Sequence, residues 1–487
     1  MTDAQMYARV LASDAEYDGR FFTGVLTTGI YCLPSCKARK PKAGNVRFFP
    51  TAEAARAYGL RPCRKCHPDD FARGADPVLE AIEALVGEIR AEPARFADAR
   101  AIVRRSGFGT TRCFELFRRH YHSTPAEMLT RARIASAQRA LLETGGAVSD
   151  VALAAGFETL SAFHDNFRRL TGLTPAAYRY LRDASGFELA LPDDYALPYL
   201  RHALARDPES RDVRVDGDTA TVVLRLQSQA EQRQHALAGP GHSGTPALLH
   251  LTLSPSSIAV ACPPGTGIEA HRVVVALLGL DQDAAGFARL ARRLGFARLV
   301  AHAPSLRISI TPTAFDGLLW AIIGQQINFA FACRLKRRLL ELCGTPLPQG
   351  MIAPPTAADV ARLAPEDLLP LQFSRQKADY LISVARMIAE GRLDLESLRQ
   401  ASATRAERTL LAVRGLGAWS VNYLMMRSLG FGDCVPLGDT GVTSGLLRLM
   451  HLEERPDADA TRRLMSVFSP YRSLATAHLW MLNRTVP

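Results

Sequence analysis

Four cysteines close to the amino terminus constrain the fold of this chain more than any other feature. They form a C-x3-C pair followed by a C-x2-C pair: Cys32, Cys36, Cys63 and Cys66. Two such pairs let two loops present four thiolates as a tetrahedron, which is the geometry that Zn²⁺ prefers. We therefore predict a small domain over residues 1–75 with one zinc site made of four cysteines. Because so short a segment has a thin apolar core, zinc that only stabilises the domain is the alternative to a chemical role.

The cysteines are surrounded by positive charge. Seven basic residues lie within or beside the cluster: Lys37, Arg39, Lys40, Lys42, Arg47, Arg64 and Lys65. Four thiolates around Zn²⁺ carry net negative charge, which basic neighbours offset, and the same neighbours attract a phosphate backbone. Zinc-bound sulfur stays deprotonated and is therefore potentially nucleophilic. The whole chain has a net charge of +11. That charge favours a polyanionic partner such as nucleic acid, although a solvated basic surface is the alternative.

Three motifs around the cysteines resemble one known family. They are Thr28–Cys36, Asn45–Phe49 and Leu60–Cys66, and they resemble the N-terminal domain of the Ada family, which repairs methylphosphotriesters in DNA. The resemblance implies that Cys32 accepts the methyl group irreversibly and that the other three cysteines are supporting ligands. Methylation would turn a thiolate into a thioether and remove a negative charge near the DNA, so we expect the affinity for DNA to rise.

A second pattern occurs twice between residues 101 and 178. Each copy has a short apolar helix, a turn at Gly107 or Gly156, and a second helix with phenylalanines on one face and arginines on the other. The repeat resembles the tandem helix-turn-helix domain of AraC-type regulators, which we place at residues 76–183. Phosphate contacts are expected from Arg118, Arg119, Arg168 and Arg169. Base contacts, or else a solvated face, are expected at Thr110, Thr111, Arg112, Thr159, Ser161 and His164.

The following segment favours β-structure and then helix. Runs rich in β-branched and leucine residues at 213–215, 219–226 and 248–253 predict a small α/β subdomain with an antiparallel sheet over residues 187–285. We interpret Arg182 to Leu189 as a junction and the polar stretch from Gln227 to Pro246 as a loop. Residues 286–487 predict an all-α domain. The expected fold class is therefore multidomain α+β.

The all-α segment contains a short glycine hairpin. Gly415-Leu416-Gly417 lies between two predicted helices, where backbone amides can approach a phosphate without obstruction by side chains. Trp419 and Tyr423 follow the hairpin, and Asp439 comes 16 residues after Tyr423. Together with Phe315–Ile327 and Ser473–Trp480, this stretch resembles the helix-hairpin-helix DNA glycosylases, in particular 3-methyladenine DNA glycosylase II of the AlkA type.

This second resemblance implies removal of alkylated purines, which are cationic leaving groups, from a flipped nucleotide. Asp439 is expected to stabilise the oxocarbenium-like sugar, with a helix N-cap as the alternative. Aromatic rings are expected to stack on the cationic base. The alternative is that these rings are ordinary members of the hydrophobic core, to which Trp320 is assigned. The residues expected to form this pocket are Trp419, Tyr423 and Trp480. Gln326 occupies the wedge position, where a side chain fills the gap left by the flipped base. The backbone amides of Gly415, Leu416 and Gly417 are expected to bind a phosphate, and backbone carbonyls of the same hairpin are expected to bind a monovalent cation.

Two absences refine this expectation. No lysine lies between Arg414 and Asp439, so the Schiff-base chemistry of a lyase is not expected and the glycosylase is predicted to be monofunctional. No cysteine follows Cys434, so the iron–sulfur cluster of some relatives is not expected.

The combined prediction is an alkylation-repair protein that also regulates transcription. Its expected partners are double-stranded DNA, both alkylated and operator, and RNA polymerase. We expect no membrane partner and a cytoplasmic, nucleoid-associated location, because the sequence has neither a signal peptide nor an apolar run of about 18 residues. The alternative is a methylation-responsive DNA-binding regulator with a catalytically inactive glycosylase-like half.

Overall fold

The computed structural model describes residues 1–14, 17–72, 76–226 and 244–483. The chain forms two compact units, Met1–Leu85 and Val86–Pro487. The first holds the cysteine cluster and a small sheet, and the second holds the helix-turn-helix repeats, a larger sheet and a helical region. The predicted multidomain α+β class is confirmed. In the described part of the chain, no helix combines the length and apolar character needed to cross a membrane.

The first unit is built on a four-stranded sheet with the order β3-β1-β2-β4. Its strands are β1 Phe22–Val25, β2 Ile30–Cys32, β3 Val46–Phe49 and β4 Arg61–Pro62, and β4 runs parallel to β2. Phe22, Tyr31 and Phe49 pack in one small core with Ala52 and Ala55, whose short side chains let their helix approach the sheet closely. The helices that begin in this unit are Asp3–Ala12, Ala52–Ala57, Pro68–Ala72 and Pro77–Ala91.

The two helix-turn-helix copies flank a long helix, Pro125–Glu143. Thr124 starts that helix with a capping box to Glu127, and Pro125 occupies its first turn, where the missing N–H costs nothing. The remaining helices of the region are Ala99–Ser106, Thr110–Tyr121, Val148–Ala154, Leu160–Thr171 and Pro175–Arg179. Three of the four phenylalanines in the stripes are fully buried, as the sequence predicts, namely Phe117, Phe163 and Phe167, whereas Phe114 is half-buried.

The larger sheet is antiparallel with the order β5-β9-β8-β7-β6, which confirms the predicted sheet. Its strands are β5 Gly186–Ala190, β6 Val213–Asp216, β7 Thr219–Leu226, β8 Thr245–Leu253 and β9 Ser257–Ala261. The interpretation of Arg182 to Leu189 as a junction is wrong at its end, because β5 begins at Gly186 and pairs with β9. Most of the expected polar loop lies outside the described residues, and β8 begins at Thr245. Helices Leu197–Leu204 and Gly267–Leu278 accompany the sheet.

One apolar core joins the second helix-turn-helix to this sheet. Leu173 and Tyr178 belong to the same buried cluster as Leu189 and Val274. The Nε2–H of His271 donates to the carbonyl of Thr171 at 2.8 Å across the junction. Burial lowers the pKa of His271 to about 4, so the ring stays neutral near pH 7. The core therefore crosses the boundary expected between residues 183 and 187.

A second and larger core holds the helical region together. It is rich in leucine and isoleucine and extends from Phe287 to Leu482. The helices are Ala284–Arg293, Ala297–Val300, Ala314–Ile323, Phe329–Cys343, Ala357–Ala361, Pro365–Leu368, Arg375–Ala389, Ala403–Leu411, Ala418–Arg427, Thr440–Leu449, Ala458–Met465 and Arg472–Leu482. A two-residue pair of strands, β10 Thr345–Pro346 and β11 Ile352–Ala353, is inserted among them.

Candidate functional site

The cysteine cluster is assembled by the parallel pair β2 and β4. Cys32 is the last residue of β2, Cys63 follows β4, and the N–H of Cys63 donates to the carbonyl of Tyr31 at 3.0 Å. The sulfurs of Cys32, Cys36, Cys63 and Cys66 all lie within 4.8 Å of one another, and those of Cys36 and Cys63 are 4.0 Å apart. Sulfurs about 2.3 Å from a tetrahedral zinc ion are separated by slightly less than 4 Å, so the set fits Zn²⁺.

The electrostatics of the four thiols also favour a bound cation. Hydrogen bonds to Cys36 and Cys66 raise the pKa of the Cys32 thiol. The sulfur of Cys36 accepts from Cys32 and Cys66, which lowers its pKa to about 2. Without a positive ion among them, the four sulfurs cannot all be thiolates. A divalent cation removes this repulsion and lets all four ionise together.

The four sulfurs differ in their backbone donors. The backbone N–H groups of Leu33 and Lys65 donate to the sulfurs of Cys66 and Cys63, each at 3.4 Å. The backbone of Ala38 contributes to the lowered pKa of the Cys36 thiol. Within the described residues, the sulfur of Cys32 has only the neighbouring thiols as partners, and its residue is partly exposed. Since hydrogen bonds stabilise a thiolate and lessen its nucleophilicity, Cys32 is the sulfur least restrained by its surroundings.

Some of the basic residues around the cluster bind backbone carbonyls of the ligand loop, and others are exposed to solvent. The ammonium groups of Lys40 and Lys65 donate to the carbonyls of Cys36 and Lys37, at 2.7 and 3.2 Å, and so brace the ligand loop. Arg64 and Lys37 are exposed beside the sulfurs. The loop therefore keeps positive charge at its surface while it holds the ligands in position.

The second helices of the two repeats, Thr110–Tyr121 and Leu160–Thr171, turn their polar faces to solvent. The four arginines and His164 that the sequence assigns to DNA contacts are all exposed: Arg118, Arg119, Arg168, Arg169 and His164. Thr159, which the sequence analysis places among the candidates for base contacts, caps its helix by accepting from the N–H of Ala162 at 3.2 Å. Its hydroxyl is therefore used locally, although the residue is exposed.

Asp439 is a helix cap, which is the alternative role that the sequence allows, and it is also the acceptor for two indole groups. It caps the helix Thr440–Leu449, because its Oδ1 accepts from the N–H of Val442 at 3.0 Å. It also accepts from two indoles, Trp480 Nε1 on Oδ1 at 2.9 Å and Trp419 Nε1 on Oδ2 at 3.1 Å. Three donors orient the carboxylate, and because a carboxylate offers about four lone-pair positions, Oδ2 retains one for a further partner.

The aromatic residues expected to form a pocket lie together around this carboxylate. The rings of Trp419 and Tyr423 stack with centroids 5.2 Å apart, and Trp480 lies 6.1 Å from Tyr423. Trp320, which the sequence analysis assigns to core, is only partly buried and its Nε1 donates to the Tyr423 hydroxyl at 3.0 Å. The cluster is therefore a connected group of aromatic rings around one carboxylate, in which Trp320, Trp419 and Trp480 are partly exposed and Tyr423 is buried.

Gly441 is a site residue that sequence reasoning missed. A Cβ at this position would lie 2.6 Å from Cδ1 of Trp480 and 3.1 Å from Oδ1 of Asp439. The absence of a side chain therefore lets the indole reach the carboxylate. A glycine two residues after an acidic cap is the only signal that the sequence offers for this role.

The glycine hairpin has a braced side and an open side. Gly415 has φ +94° and lies against the ring of Tyr380, and its carbonyl accepts from Nε2 of Gln325 at 2.9 Å. The same Gln325 group donates to the hydroxyl of Ser420. A Cβ at Gly417 would meet nothing within 4 Å. Leu416 is buried below the turn, so the hairpin presents its backbone, rather than side chains, at the open side.

Gln326, the expected wedge residue, lies in the turn between the helices Ala314–Ile323 and Phe329–Cys343. It is exposed and has φ +57°, a left-handed conformation that non-glycine residues rarely adopt outside functional or tightly packed turns. Its neighbour Gln325 is the residue that ties the turn to the hairpin. The exposed side chain and the hairpin thus belong to one connected structure.

The first helix-turn-helix is fixed to the helical region by two histidines that sequence reasoning missed. Nδ1 of His120 lies 2.8 Å from the hydroxyl of Thr404. Nδ1 of His122 accepts from the backbone N–H of Asp433 at 3.1 Å, and burial lowers the pKa of His122 to about 4. Asp433 in turn accepts two hydrogen bonds from the Arg472 guanidinium, at 2.8 and 2.9 Å. Thr404 lies in the first turn of the helix Ala403–Leu411, which precedes the glycine hairpin, and Asp433 precedes Asp439 in one loop.

Three family models match separate parts of this sequence. Residues 5–69 match the metal binding domain of Ada, residues 102–180 match a helix-turn-helix domain, and residues 319–470 match the HhH-GPD superfamily of base excision DNA repair proteins. The predicted resemblances are confirmed.

Similar proteins cover both halves. A probable bifunctional transcriptional activator/DNA repair enzyme AlkA from Mycobacterium tuberculosis is 28% identical over 97% of this chain and 95% of its own length. A DNA-3-methyladenine glycosylase from Bacillus subtilis is 32% identical over 41% of this chain and 68% of its own. A 3-methyladenine DNA-glycosylase structure from Archaeoglobus fulgidus covers 61% of this chain and 99% of that chain, with 20% identity and a TM-score of 0.52. That likeness is one of fold.

Proposed function

The chain belongs to the HhH-GPD superfamily of base excision DNA repair proteins, joined to an Ada metal-binding domain and an AraC-type helix-turn-helix, and from this premise we propose that it repairs alkylated DNA in two ways. The helical half removes alkylated purines such as 3-methyladenine and 7-methylguanine. The zinc domain takes methyl groups from DNA methylphosphotriesters. We assign these activities to residues 187–487 and 1–75, with DNA reading at 76–183.

The observation that supports base excision is the pair of indoles on Asp439. Trp419 and Trp480 donate to different oxygens of the carboxylate while Tyr423 packs against both rings. A cationic purine that enters this aromatic cluster is attracted by the ring faces, and its sugar is then close to negative charge. As the bond from C1′ to the base nitrogen breaks, Asp439 stabilises the developing oxocarbenium charge and its free lone pair orients water for attack at C1′.

The test compares two capping aspartates. Asp439→Asn removes the negative charge but retains a capping side chain, and we expect release of free base from methylated duplex DNA to fall at least about a hundredfold. Asp457→Asn is the matched control, because Asp457 caps the helix Ala458–Met465 and is exposed, outside the aromatic cluster. Full activity in Asp439→Asn overturns the assignment. No release by the unmodified protein favours the alternative, a regulator with an inactive glycosylase-like half.

The excision is proposed to be monofunctional and supported by the hairpin. Because no lysine lies between Arg414 and Asp439, we expect an intact abasic strand after base release and no trapping of protein on DNA by borohydride. The open backbone at Gly417 supports a phosphate grip by residues 415–417. The carbonyl of Gly415 accepts one hydrogen bond, so one of its lone pairs is available to the proposed monovalent cation.

Methyl acceptance is proposed for Cys32, with Zn²⁺ held by Cys32, Cys36, Cys63 and Cys66. Zinc, when bound, keeps the four sulfurs deprotonated at neutral pH. The thiolate of Cys32 then attacks the methyl carbon, the bond from that carbon to the phosphotriester oxygen breaks, and a phosphodiester anion leaves. Among the residues that the structure describes, no backbone group donates to Cys32, whereas Cys63 and Cys66 each accept from a backbone N–H; this difference supports the choice of Cys32 as the acceptor.

Mass spectrometry tests this acceptor. After incubation with a duplex that carries one methylphosphotriester, we expect the mass of one methyl group on the Cys32 peptide and none after an ordinary duplex. Methylation on another cysteine contradicts the choice of Cys32. A folded zinc domain that never acquires a methyl group supports the alternative of purely structural zinc.

Regulation is proposed to follow from this methylation. A neutral thioether at Cys32 repels phosphates less, so binding to operator DNA through the exposed arginines and His164 should tighten and RNA polymerase should be recruited. Selection of bound sequences, followed by transcription with purified RNA polymerase, tests both expectations. Equal affinity for operator DNA before and after methylation of Cys32 would contradict the regulatory proposal.

A further inference from the structure

Phe329 is an exposed aromatic residue beside the proposed excision site, and neither the expected pocket nor the expected wedge includes it. It is the first residue of the helix Phe329–Cys343, which Asn328 caps by accepting from the N–H of Phe331 at 2.9 Å. The residue is 38% exposed. It lies three positions after Gln326, at the start of the helix that follows the turn.

The ring is held from two sides. Trp320 contacts it edge to face, with centroids 5.6 Å apart and an interplanar angle of 65°. The guanidinium carbon of Arg206, from outside the helical region, lies 4.3 Å from its centroid. These two contacts restrict the motion of the ring, so it loses little conformational entropy when it binds a partner. Proteins that bind nucleic acid bases by stacking use aromatic rings held in this way.

The ring of Phe329 is also connected to Asp439 through a series of contacts between three intermediate aromatic residues. Trp320 donates to the hydroxyl of Tyr423, Tyr423 stacks on Trp419, and Trp419 donates to the carboxylate. Phe329 is thus the outermost member of an aromatic series that begins at the proposed site of chemistry. Gln326, at the wedge position, is polar and can offer hydrogen bonds to an unpaired base but little apolar stacking.

We propose that Phe329 stacks on the DNA bases next to the flipped nucleotide, so that wedging is divided between Gln326 in the turn and Phe329 at the start of the following helix. Phe329 supplies the apolar surface that replaces lost base stacking, Gln326 hydrogen-bonds the orphaned base, and Arg206 adds positive charge beside the strand. The partner recognised is duplex DNA with one extrahelical or missing nucleotide. This inference rests on the proposed excision function.

The test uses a duplex with a tetrahydrofuran abasic analogue and 2-aminopurine as its neighbouring base. For Phe329→Ala we expect binding about tenfold weaker than for the unmodified protein, and a 2-aminopurine fluorescence change less than about half as large. Excision of methylated bases should fall to a similar extent. Phe329→Trp retains a stacking surface and should restore both signals.

Leu342→Ala is the matched control, because Leu342 is 42% exposed near the other end of the same helix. It should bind and report as the unmodified protein does. Unchanged fluorescence and affinity in Phe329→Ala overturn the proposal, and so does an equal loss in Phe329→Trp, which would mean that the position matters only for packing on Trp320. If the unmodified protein releases no base, the failure lies with the excision function. Normal release by Phe329→Ala refutes the stacking role alone.

Discussion

At the scale of single residues, the hydrogen bonds that make Asp439 a helix cap also orient its carboxylate for the proposed chemistry. The cap places the carboxylate at the positive end of a helix, and two indoles fix the directions of its oxygens. A carboxylate held by three donors needs no reorganisation when positive charge develops beside it. A residue that provides stability is therefore also suited to provide catalysis.

Gly441→Ala tests how closely this arrangement is packed. The added methyl would lie 2.6 Å from Trp480, so the indole must move and its hydrogen bond to Asp439 must lengthen. We expect excision to fall at least about tenfold, with a small change in thermal stability because alanine favours helix over glycine. Gly87→Ala is the control, since a Cβ at that helical glycine meets nothing within 4 Å. Unchanged excision by Gly441→Ala would show that the indole contact is dispensable.

At the scale of elements, the first helix-turn-helix contacts the loop that leads to Asp439 in the proposed site. His122 ends the recognition helix with φ +51° and contacts the loop that continues to Asp439. Removal of its ring leaves the buried N–H of Asp433 without its acceptor, beside the ion pair with Arg472.

We expect His122→Ala to lower the free energy of unfolding of the larger unit by about 1–3 kcal/mol, the usual cost of an unsatisfied buried donor. Denaturant unfolding measures this change. His164→Ala, at an exposed residue of the other recognition helix, should leave stability within about 0.5 kcal/mol. Equal stabilities of the two variants would contradict the role given to His122.

At the scale of the whole molecule, the larger unit is continuous across the expected domain boundaries. The buried cluster of the second helix-turn-helix includes Leu189 and Leu280 from the sheet region. A fragment that begins at residue 187 loses every member of that cluster between residues 134 and 181, and their partners in the sheet region become exposed. The lost side chains nearest the boundary are Leu170, Leu173, Tyr178 and Leu181.

We therefore expect the fragment 187–487 to unfold at least about 10 °C below the fragment 86–487, or to aggregate, since each lost large apolar residue removes roughly 1.5–3 kcal/mol of burial. Calorimetry compares the two. Equal transition temperatures would show that the sheet and helical region form an independent domain.

Acid should destabilise the same unit before its carboxylates are protonated. Burial lowers the pKa values of His122, His271 and His478 from 6.5 to about 4. The unfolded chain binds protons first, so stability is fully present above about pH 6.5 and is lost as pH falls towards 4. Asp316, with its pKa raised to about 6 by burial, opposes this trend. We expect a net loss over this window and a smaller one in His271→Gln. A pH-independent free energy of unfolding would contradict it.

Local motifs are enough to predict the fold class and to identify the candidate residues. Cysteine spacing, repeated Gly turns with buried phenylalanines, and Gly415-Leu416-Gly417 are recognisable because each depends on neighbours in the chain. Local patterns do not predict the strands β5 and β9, since short strands depend on pairing rather than on alternation. They assign Trp320 to core, and the ring does pack against the helical core, but they do not predict that its Nε1 also donates to the Tyr423 hydroxyl.

By itself, the sequence determined which chemical groups this protein has: four thiols that can share one cation, two helix-turn-helix repeats, and an acidic residue near aromatic ones. Only the tertiary structure decided how they work together. It joined the second helix-turn-helix to the sheet in one core, fixed the first to the loop before Asp439 through His122, and left Phe329 exposed beside Arg206. The physical reason is that local spacing specifies ligands and turns, whereas shared burial and long-range hydrogen bonds depend on residues far apart in the chain.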